Sequence, residues 1–424
     1  MTGPTVVHAL DWNTFTDQFW DQRPVLVKRV GNPPFDEREV FHAAVLGTRP
    51  EHPLALPSNT QFTIERRQQT RPGDYLPRWS DDSFDGYQDR MDRLLDGRRY
   101  ALVVHSFHGF HQPQWERERA FYAGLWERVG QPLTGAITTL FHGNYEHSPV
   151  GVHLDRFATF MFALKGRKRM RFWPSQPWSE PVATKLDYEA YLAESIVVEV
   201  EPGDLLYWPS TYFHVGESAG TEPATSVNVG VPRDRHSVAY EMKDLLGTKL
   251  ETLAPSGFVG NGSTPENEKL FASEEGTDAE PPEALTRGVR TLRAVAREDR
   301  MAELLLSASL RHWTSGGFPP APAPSARREL DDDVVVRAVA PILLGGEGGG
   351  CWCAANGHAV RVESDADEVI EMLAPLRAGR TLAVGEVLAY RSRDSDADGR
   401  AREDCRSLLE TLESFHALVR SRAS

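Results

Sequence analysis

The sequence has few cysteines and no long hydrophobic run. Its three cysteines, Cys351, Cys353 and Cys405, are too few for a disulfide framework and suit a reducing compartment. No stretch approaches the ~20 apolar residues that cross a bilayer, and the first residues lack a basic segment followed by an apolar run. We therefore expect a soluble, cytoplasmic protein with reduced, partly buried thiols and no membrane partner. A zinc site formed by Cys351, Cys353 and His358 is the alternative, although no second cysteine pair accompanies them.

The sequence also lacks an excess of positive charge. It has 47 lysines and arginines against 61 aspartates and glutamates, which gives a formal net charge of −14. A protein that binds the phosphate backbone needs an electropositive face, so this balance disfavours direct nucleic-acid binding. An acidic surface tolerates a basic polypeptide, and a polypeptide partner therefore remains open.

The length of 424 residues predicts two or three domains. In the first half, short apolar runs between glycine or proline turns predict the strands of a sandwich or barrel rather than βαβ units. These runs are residues 24–29, 100–105, 136–141, 158–164, 169–173, 195–200, 204–208 and 225–230. A short amphipathic helix after Asp11 precedes them. We expect a mainly β domain over residues 1–235.

The second half of the sequence changes character. Residues 237–253 and 285–313 have helical periodicity, and the acidic stretch at 254–282 is rich in Gly, Pro and Ser, as in a linker. The proline-rich run after Phe318 cannot continue a helix, because proline lacks the amide donor. Strand-like and helical runs then alternate. We expect a helical region over residues 236–318 and a small α/β module of winged-helix size over residues 319–424.

One histidine–aspartate pair suggests a metal site. In the run Gly151-Val-His153-Leu-Asp155, residues i and i+2 of a strand project to the same face, so both side chains can meet one ion. Because such a pair is common by chance, a third ligand from a distant strand is needed. His214, which follows a Pro-Gly-Asp turn and a strand, is the candidate. Two imidazoles and one carboxylate leave coordination positions open, as in non-haem Fe(II) enzymes.

Three further residues predict a co-substrate pocket beside this site. Lys168 lies on the strand that follows a Lys-Gly turn, and a lysine facing a pocket requires an anion to offset its desolvation. The distal carboxylate of 2-oxoglutarate would be such an anion. Asn228 and Thr159 are candidates for contact with the same co-substrate, and ordinary strand positions are the alternative for both.

The segment from Asp11 to Pro232 resembles the JmjC-type oxygenases, and within them the ribosomal oxygenases that hydroxylate ribosomal-protein side chains. The shared motifs are Gln22-Arg-Pro-Val-Leu-Val-Lys-Arg, Val152-His-Leu-Asp155, a basic residue at 168, and Glu201-Pro-Gly-Asp-Leu-Leu-Tyr-Trp-Pro before His214. The pieces Lys165-Gly-Arg-Lys168 and Ser226-Val-Asn228 also resemble the asparaginyl hydroxylase that acts on hypoxia-inducible factor.

This resemblance implies a double-stranded β-helix barrel of the cupin or JmjC type, with a catalytic Fe(II) ion and a pocket for 2-oxoglutarate, which reacts with dioxygen. For metal binding and catalysis, the resemblance implies His153, Asp155 and His214. For binding of the co-substrate, it implies Lys168, Asn228 and Thr159. It also implies a helical dimerisation region followed by a winged-helix domain, and therefore a homodimer.

The loop before the metal motif, Phe141-His-Gly-Asn-Tyr-Glu-His-Ser-Pro-Val, is longer than the glycine-rich connection of that family. His142, Tyr145 and His147 in this loop are candidates for substrate contact, with ordinary loop residues as the alternative. Thr138 or Thr139, according to the phase of the strand, is a further candidate for contact with the co-substrate.

We therefore expect an oxygenase that hydroxylates an Arg, His or Asn side chain in a polypeptide, either a ribosomal protein or a ribosomally made natural-product precursor. One alternative is a non-redox cupin metalloenzyme, an isomerase or a hydrolase, against which Lys168 argues because such an enzyme needs no 2-oxoglutarate anchor. The other is a metal-free regulatory or binding protein with a winged helix, which leaves the histidine–aspartate–histidine set unexplained.

Overall fold

The computed structural model of the protein describes residues 4–49, 59–145, 151–220, 222–233, 289–290, 293, 298–346, 350–390 and 399–421. The helix predicted at 237–253 and the linker predicted at 254–282 lie outside these residues. In the part of the chain that is described, no helix has both the length and the hydrophobicity needed to cross a membrane.

Two facing sheets form the N-terminal half. Their strands are β1 (Thr5–Val7), β2 (Val25–Val27), β3 (Thr60–Ile64), β4 (Arg67–Gln68), β5 (Tyr100–His105), β6 (Ile137–Gly143), β7 (Phe157–Lys165), β8 (Lys168–Trp173), β9 (Ile196–Val200), β10 (Leu205–Trp208), β11 (Phe213–Ser218) and β12 (Ala224–Pro232). The larger sheet has the order β1-β2-β10-β7-β12-β6-β5-β3-β4, and the smaller has the order β11-β8-β9. Pairing is antiparallel except between β1 and β2.

The chain winds back and forth between these sheets. It passes from β6 in the larger sheet to residues 152–153, which pair with the edge of β11 in the smaller sheet, and returns to β7. It then forms β8 and β9 in the smaller sheet, β10 in the larger, β11 in the smaller and β12 in the larger. Four strands of the larger sheet, β6, β7, β10 and β12, thus alternate with the segment at residues 152–153 and the three strands of the smaller sheet. This winding makes a double-stranded β-helix, the barrel that the resemblance implies.

Alternating side chains of these strands divide between two cores. Met161, Leu206 and Trp208 project between the sheets and pack against residues of β8 and β9. Phe160 and Phe162 project to the other face of the larger sheet. There they pack with four helices, which are α1 (Trp12–Gln18), α2 (Glu37–Gly47), α3 (Phe84–Leu95) and α4 (Gln112–Val129).

The structure confirms the short helix after Asp11 and all eight predicted strands of this half, with strand ends shifted by at most two residues. It adds elements that the sequence patterns did not predict. These are helices α2, α3 and α4 and strands β1, β3, β4 and β11.

The C-terminal half mixes helices and short strands, as predicted. Its helices are α5 (Glu298–Ser315), α6 (Ala366–Arg377), α7 (Val384–Ala389) and α8 (Gly399–Ser414), and its strands are β13 (Val335–Ala338), β14 (Leu343–Gly345), β15 (Cys351–Ala355), β16 (His358–Val362), β17 (Thr381–Ala383) and β18 (Leu418–Arg420). Cys351, Cys353 and Cys405 are buried in its core as free thiols, as expected. The winged-helix assignment stays a prediction.

Helix α4 packs against the segment that connects the two halves and forms hydrogen bonds with it. The indole of Trp115 donates a hydrogen bond to the carbonyl of Phe318 at 2.8 Å, and the indole of Trp126 donates one to the carbonyl of Gly316 at 3.0 Å. Phe318 is fully buried and belongs to the core of the N-terminal half. The boundary predicted at residue 318 thus falls where the chain packs on the first domain.

Candidate metal centre

His153 and His214 come together through a short antiparallel pairing of their backbones. Each donates its amide hydrogen to the carbonyl of the other, at 3.1 and 2.9 Å, so their side chains leave the sheet side by side. Their ring centroids are 4.5 Å apart. Gly151 permits this approach, because its φ is +68° and a Cβ atom there would lie 2.2 Å from the carbonyl oxygen of Lys185.

Asp155 completes the group from the turn between this pairing and β7. The strand ends after His153, so Asp155 does not reach the site by strand alternation as the sequence pattern suggested; the turn carries it there. Its Oδ1 lies 3.4 Å from His153 Nε2, and its Oδ2 lies 3.3 Å from His214 Nε2. One ligand atom from each of the three residues lies within 4.8 Å of the others. Among the described residues this is the only such group.

Hydrogen bonds on the far side of both imidazoles set their tautomers. His153 Nδ1 lies 2.9 Å from the carbonyl oxygen of Gly151, and His214 Nδ1 lies 3.2 Å from that of Tyr212. A carbonyl oxygen only accepts, so each Nδ1 carries the hydrogen and donates it. Each Nε2 lone pair is then directed toward the shared centre, which is how a metal-binding histidine is held.

The electrostatics of the group favour a cation between the three side chains. Burial opposes the charged form of Asp155, but the two imidazoles outweigh it and hold the pKa of its carboxyl far below the usual range. Burial likewise acts to lower the pKa of His153, and the adjacent carboxylate outweighs it, so that this pKa is raised. Two neutral nitrogens and one carboxylate oxygen fit a first-row divalent ion such as Fe(II).

The three residues open into a cavity of about 340 Å³ between the sheets. Lys168, Asn228 and Thr159, the residues predicted to bind the co-substrate, all line it. Trp208 also lines it and packs its ring 5.2 Å from that of His214. The structure thus brings all six predicted site residues to one cavity.

Lys168 is almost fully buried in this cavity, with 6% of its surface exposed. Its ammonium donates a hydrogen bond to Ser226 Oγ at 3.1 Å and lies 4.9 Å and 5.6 Å from the ring centroids of Phe141 and Tyr145. Within the described ranges no carboxylate lies within ion-pair distance of it. Such an ammonium retains donors for an anionic ligand.

Asn228 and Thr159 lie on β12 and β7, the strands that cross the cavity wall. Asn228 Oδ1 is buried and has no hydrogen-bond partner among the described residues. Thr159 is 4% exposed and pairs in register with Trp208.

The other threonine and loop candidates divide between the cavity and the packing behind it. Thr139 and Tyr145 line the cavity, whereas Thr138 points away and donates to Glu118. His142 is fully buried behind the wall, where it contacts the hydroxyls of Tyr100 and Thr225 at 3.1 and 2.8 Å. His147 lies outside the described residues.

Two further strands contribute residues that the sequence patterns did not identify. Gln61 of β3 and His105 of β5 line the cavity on its open side. His105 Nδ1 lies 3.0 Å from Thr139 Oγ1, and burial lowers the pKa of its imidazole. The alternation of side chains along β5 shows that His105 lies on one face of the strand. Only the pairing of β5 with β6 brings that face to the cavity.

Comparison with known proteins agrees with this geometry. Residues 125–237, which contain all three potential metal ligands, match the model of the JmjC domain. This part of the chain is therefore similar to JmjC domains. The resemblance read from the sequence motifs is therefore confirmed at the level of the domain family.

Proteins similar to this chain include a curated enzyme and several solved structures. The ribosomal protein uL16 3-hydroxylase of Escherichia coli is 25% identical over 236 residues, which cover 54% of this chain and 56% of that protein. The chain thus matches little more than half the length of that relative. A structure of Escherichia coli ycfD aligns with 17% identity and a TM-score of 0.45, over 97% of this chain and 98% of that one. A second, of the ribosomal oxygenase YcfD with cobalt and 2-oxoglutarate, aligns with 16% identity and a TM-score of 0.43 over the same shares.

Proposed function

We propose that the protein is an Fe(II)- and 2-oxoglutarate-dependent oxygenase that hydroxylates an amino-acid side chain in a polypeptide. The observation that carries this proposal is the buried Lys168 ammonium, which shares one cavity with the His153, Asp155 and His214 group. A metal site alone does not explain why a lysine ammonium is buried in the same cavity. A dicarboxylate that binds the ion at one end and the ammonium at the other explains both features.

In this proposal each residue has a separate role. His153, Asp155 and His214 hold the Fe(II) ion, and Lys168 binds the distal carboxylate of 2-oxoglutarate through charge-assisted hydrogen bonds. Asn228 and Thr159 contact the same co-substrate from the wall. The ion and co-substrate supply the insertion of one atom of dioxygen into a C–H bond, while 2-oxoglutarate becomes succinate and carbon dioxide.

The substrate we propose is an Arg, His or Asn side chain of a ribosomal protein or of a ribosomally made precursor peptide. The similarity to a hydroxylase of ribosomal protein uL16 supports the first of these. The chain would meet its substrate in the cytoplasm, which agrees with its three free thiols.

Two observations weigh against the alternatives. A non-redox cupin metalloenzyme would leave the buried lysine without an anion, which is energetically costly. A metal-free winged-helix protein would not explain why two histidines with preset tautomers flank a half-buried carboxylate.

For the domains, we propose a JmjC barrel over residues 1–235, a helical dimerisation region over 236–318 and a winged-helix-like domain over 319–424. Support for a homodimer comes from α5, where Leu305 and Trp313 are each 58% exposed. A dimer interface along this helix would remove both side chains from water.

Anaerobic titration tests the chemistry. Addition of 2-oxoglutarate to the Fe(II) protein should produce the weak visible charge-transfer band of a chelated co-substrate, and its absence would favour a non-redox enzyme. Incubation with uL16 and with candidate peptides in air should then add a single oxygen to one of them, detected by mass spectrometry. His153→Ala should abolish both signals.

A further inference from the structure

A cluster of polar side chains lies buried between α4 and β6, on the far side of the sheet from the metal centre. Gln114, Glu118 and Tyr122 are spaced four residues apart along α4 and form one stripe. His108 joins them from the 3-10 turn Phe107–Phe110. All four residues are completely buried.

Protein atoms satisfy few of their hydrogen-bonding groups. Thr138 Oγ1 donates to one carboxyl oxygen of Glu118. His108 Nδ1 lies 3.5 Å from the other oxygen, without a well-directed hydrogen bond. The Gln114 amide and the Tyr122 hydroxyl have no partner of good geometry. The imidazole of His108 interacts with the backbone carbonyls of Pro319 and Pro320. Four of the thirteen buried side-chain atoms that lack a well-directed partner in the described residues belong to Gln114, Glu118 and Tyr122.

Such an accumulation is energetically untenable in a dry interior. At about 1–3 kcal/mol each, four unsatisfied polar atoms would cost a large share of the free energy of folding of a domain. A hydrogen-bonding partner from outside the chain would remove this cost.

The chemistry of the cluster identifies that partner. The Gln114 amide and the Tyr122 hydroxyl require acceptors, while Glu118 and the Gln114 carbonyl also accept. Burial raises the pKa of Glu118 to about 8 and lowers the pKa of His108 to about 4, so both are mainly neutral at pH 7. A neutral cluster of mixed donors and acceptors calls for a small neutral molecule that both donates and accepts.

We propose that His108, Gln114, Glu118 and Tyr122 enclose a binding site for ordered internal water. About two molecules with about three hydrogen bonds each would satisfy the unpartnered atoms. The segment that joins the two halves of the protein covers this site. Phe318 packs on Tyr122 with ring centroids 5.3 Å apart, and the Pro320 carbonyl lies against Gly109. The site therefore lies beneath the junction of the two halves.

Tyr122→Phe in the full chain distinguishes a hydrated site from a dry one. If water binds the hydroxyl, its removal loses a hydrogen bond and lowers the melting temperature by about 1–3 °C. If the site is dry, the same change removes an unsatisfied group and raises the melting temperature. Tyr87→Phe is the matched control, because Tyr87 is equally buried and its hydroxyl donates to the Tyr75 carbonyl at 2.6 Å. Both variants should shift the melting temperature downward.

A crystal structure of the full chain at a resolution that shows ordered water is the second, independent measurement. Density for water within hydrogen-bond distance of the Tyr122 hydroxyl and the Gln114 amide is expected. An empty site, an ion or another solute in that density, or a higher melting temperature for Tyr122→Phe would each overturn the proposal. None of these measurements depends on the proposed oxygenase activity.

Discussion

At the scale of single residues, Lys168 has the most informative surroundings. Its ammonium contacts a serine hydroxyl and two aromatic rings inside the cavity but does not contact the three potential metal ligands. Lys168→Ala should therefore raise the dissociation constant of 2-oxoglutarate about 10- to 100-fold, since a charge-assisted hydrogen bond in a buried site is lost. Fe(II) binding should change far less. Anaerobic titration of the charge-transfer band measures the first, and competition with a metal-binding dye measures the second.

Lys165→Ala is the control for this prediction, because Lys165 lies one turn away and its ammonium pairs with Asp85 outside the cavity. That variant should bind 2-oxoglutarate as the wild type does. A loss of metal affinity in Lys168→Ala as large as the loss of 2-oxoglutarate affinity would contradict the assigned role.

Glu118 predicts a pH dependence of stability. Burial raises its folded-state pKa from 4.5 to about 8, so the folded protein holds this proton more tightly than the unfolded chain. The resulting stabilisation is complete below pH 4.5 and is lost as the pH rises toward 8, on the order of 1 kcal/mol per pH unit within that window. Glu118→Gln should remove this contribution and should be more stable relative to the wild type at pH 8 than at pH 5. Urea unfolding at both values measures the difference.

Glu127→Gln, at an exposed position of the same helix, serves as the comparison and should retain the wild-type slope. A Glu118→Gln protein whose stability falls with pH as steeply as that of the wild type would show that this carboxyl is not responsible.

At the scale of elements, the close packing of β11 on β8 keeps Lys168 in place. Gly216 of β11 pairs with Met170, and a Cβ atom at this glycine would lie 3.3 Å from Lys168 Cε and 3.2 Å from Met170 Sδ. Gly216→Ala should displace the lysine by a few tenths of an ångström and weaken 2-oxoglutarate binding several-fold, with metal affinity retained. Gly31→Ala, where a Cβ meets no atom within 4 Å, is the control. Equal 2-oxoglutarate affinity in the two variants would show that the strand tolerates the added methyl group.

The elements also show which features the sequence could predict. Apolar runs identified β2, β5 to β10 and β12, because these strands bury at least one face. They did not identify β11, since Phe213–Ser218 contains His, Gly, Glu and Ser and is buried through its pairing rather than its own hydrophobicity. The grouping of the three potential metal ligands was predictable because a short spacing and a neighbouring turn mark them. His105 and Gln61 were not, because their place depends on the order β6-β5-β3, which no local pattern encodes.

At the scale of the whole molecule, the proposed dimer makes a direct prediction. Substituting Leu305→Glu together with Trp313→Glu places two charges on the exposed side of α5 and should convert a dimer into monomers, because charged groups resist desolvation at an apolar interface. Sedimentation velocity measures the assembly state. Leu133→Glu, a change at a side chain that is 69% exposed in the N-terminal half, should leave the assembly intact. A wild-type chain that sediments as a monomer would contradict the proposal.

Phe318 has a consequence for how the protein is made. This ring fills a slot formed by Tyr122 and Trp126 of α4, yet it leaves the ribosome long after the last barrel strand has been synthesised. A nascent chain that has emerged only to residue 235 therefore exposes Tyr122 and Trp126 to solvent. Packing of the N-terminal half is complete only after Phe318 has been synthesised. A fragment ending at residue 235 should bind a hydrophobic dye and melt at a lower temperature than the full chain, as incompletely packed folding intermediates do.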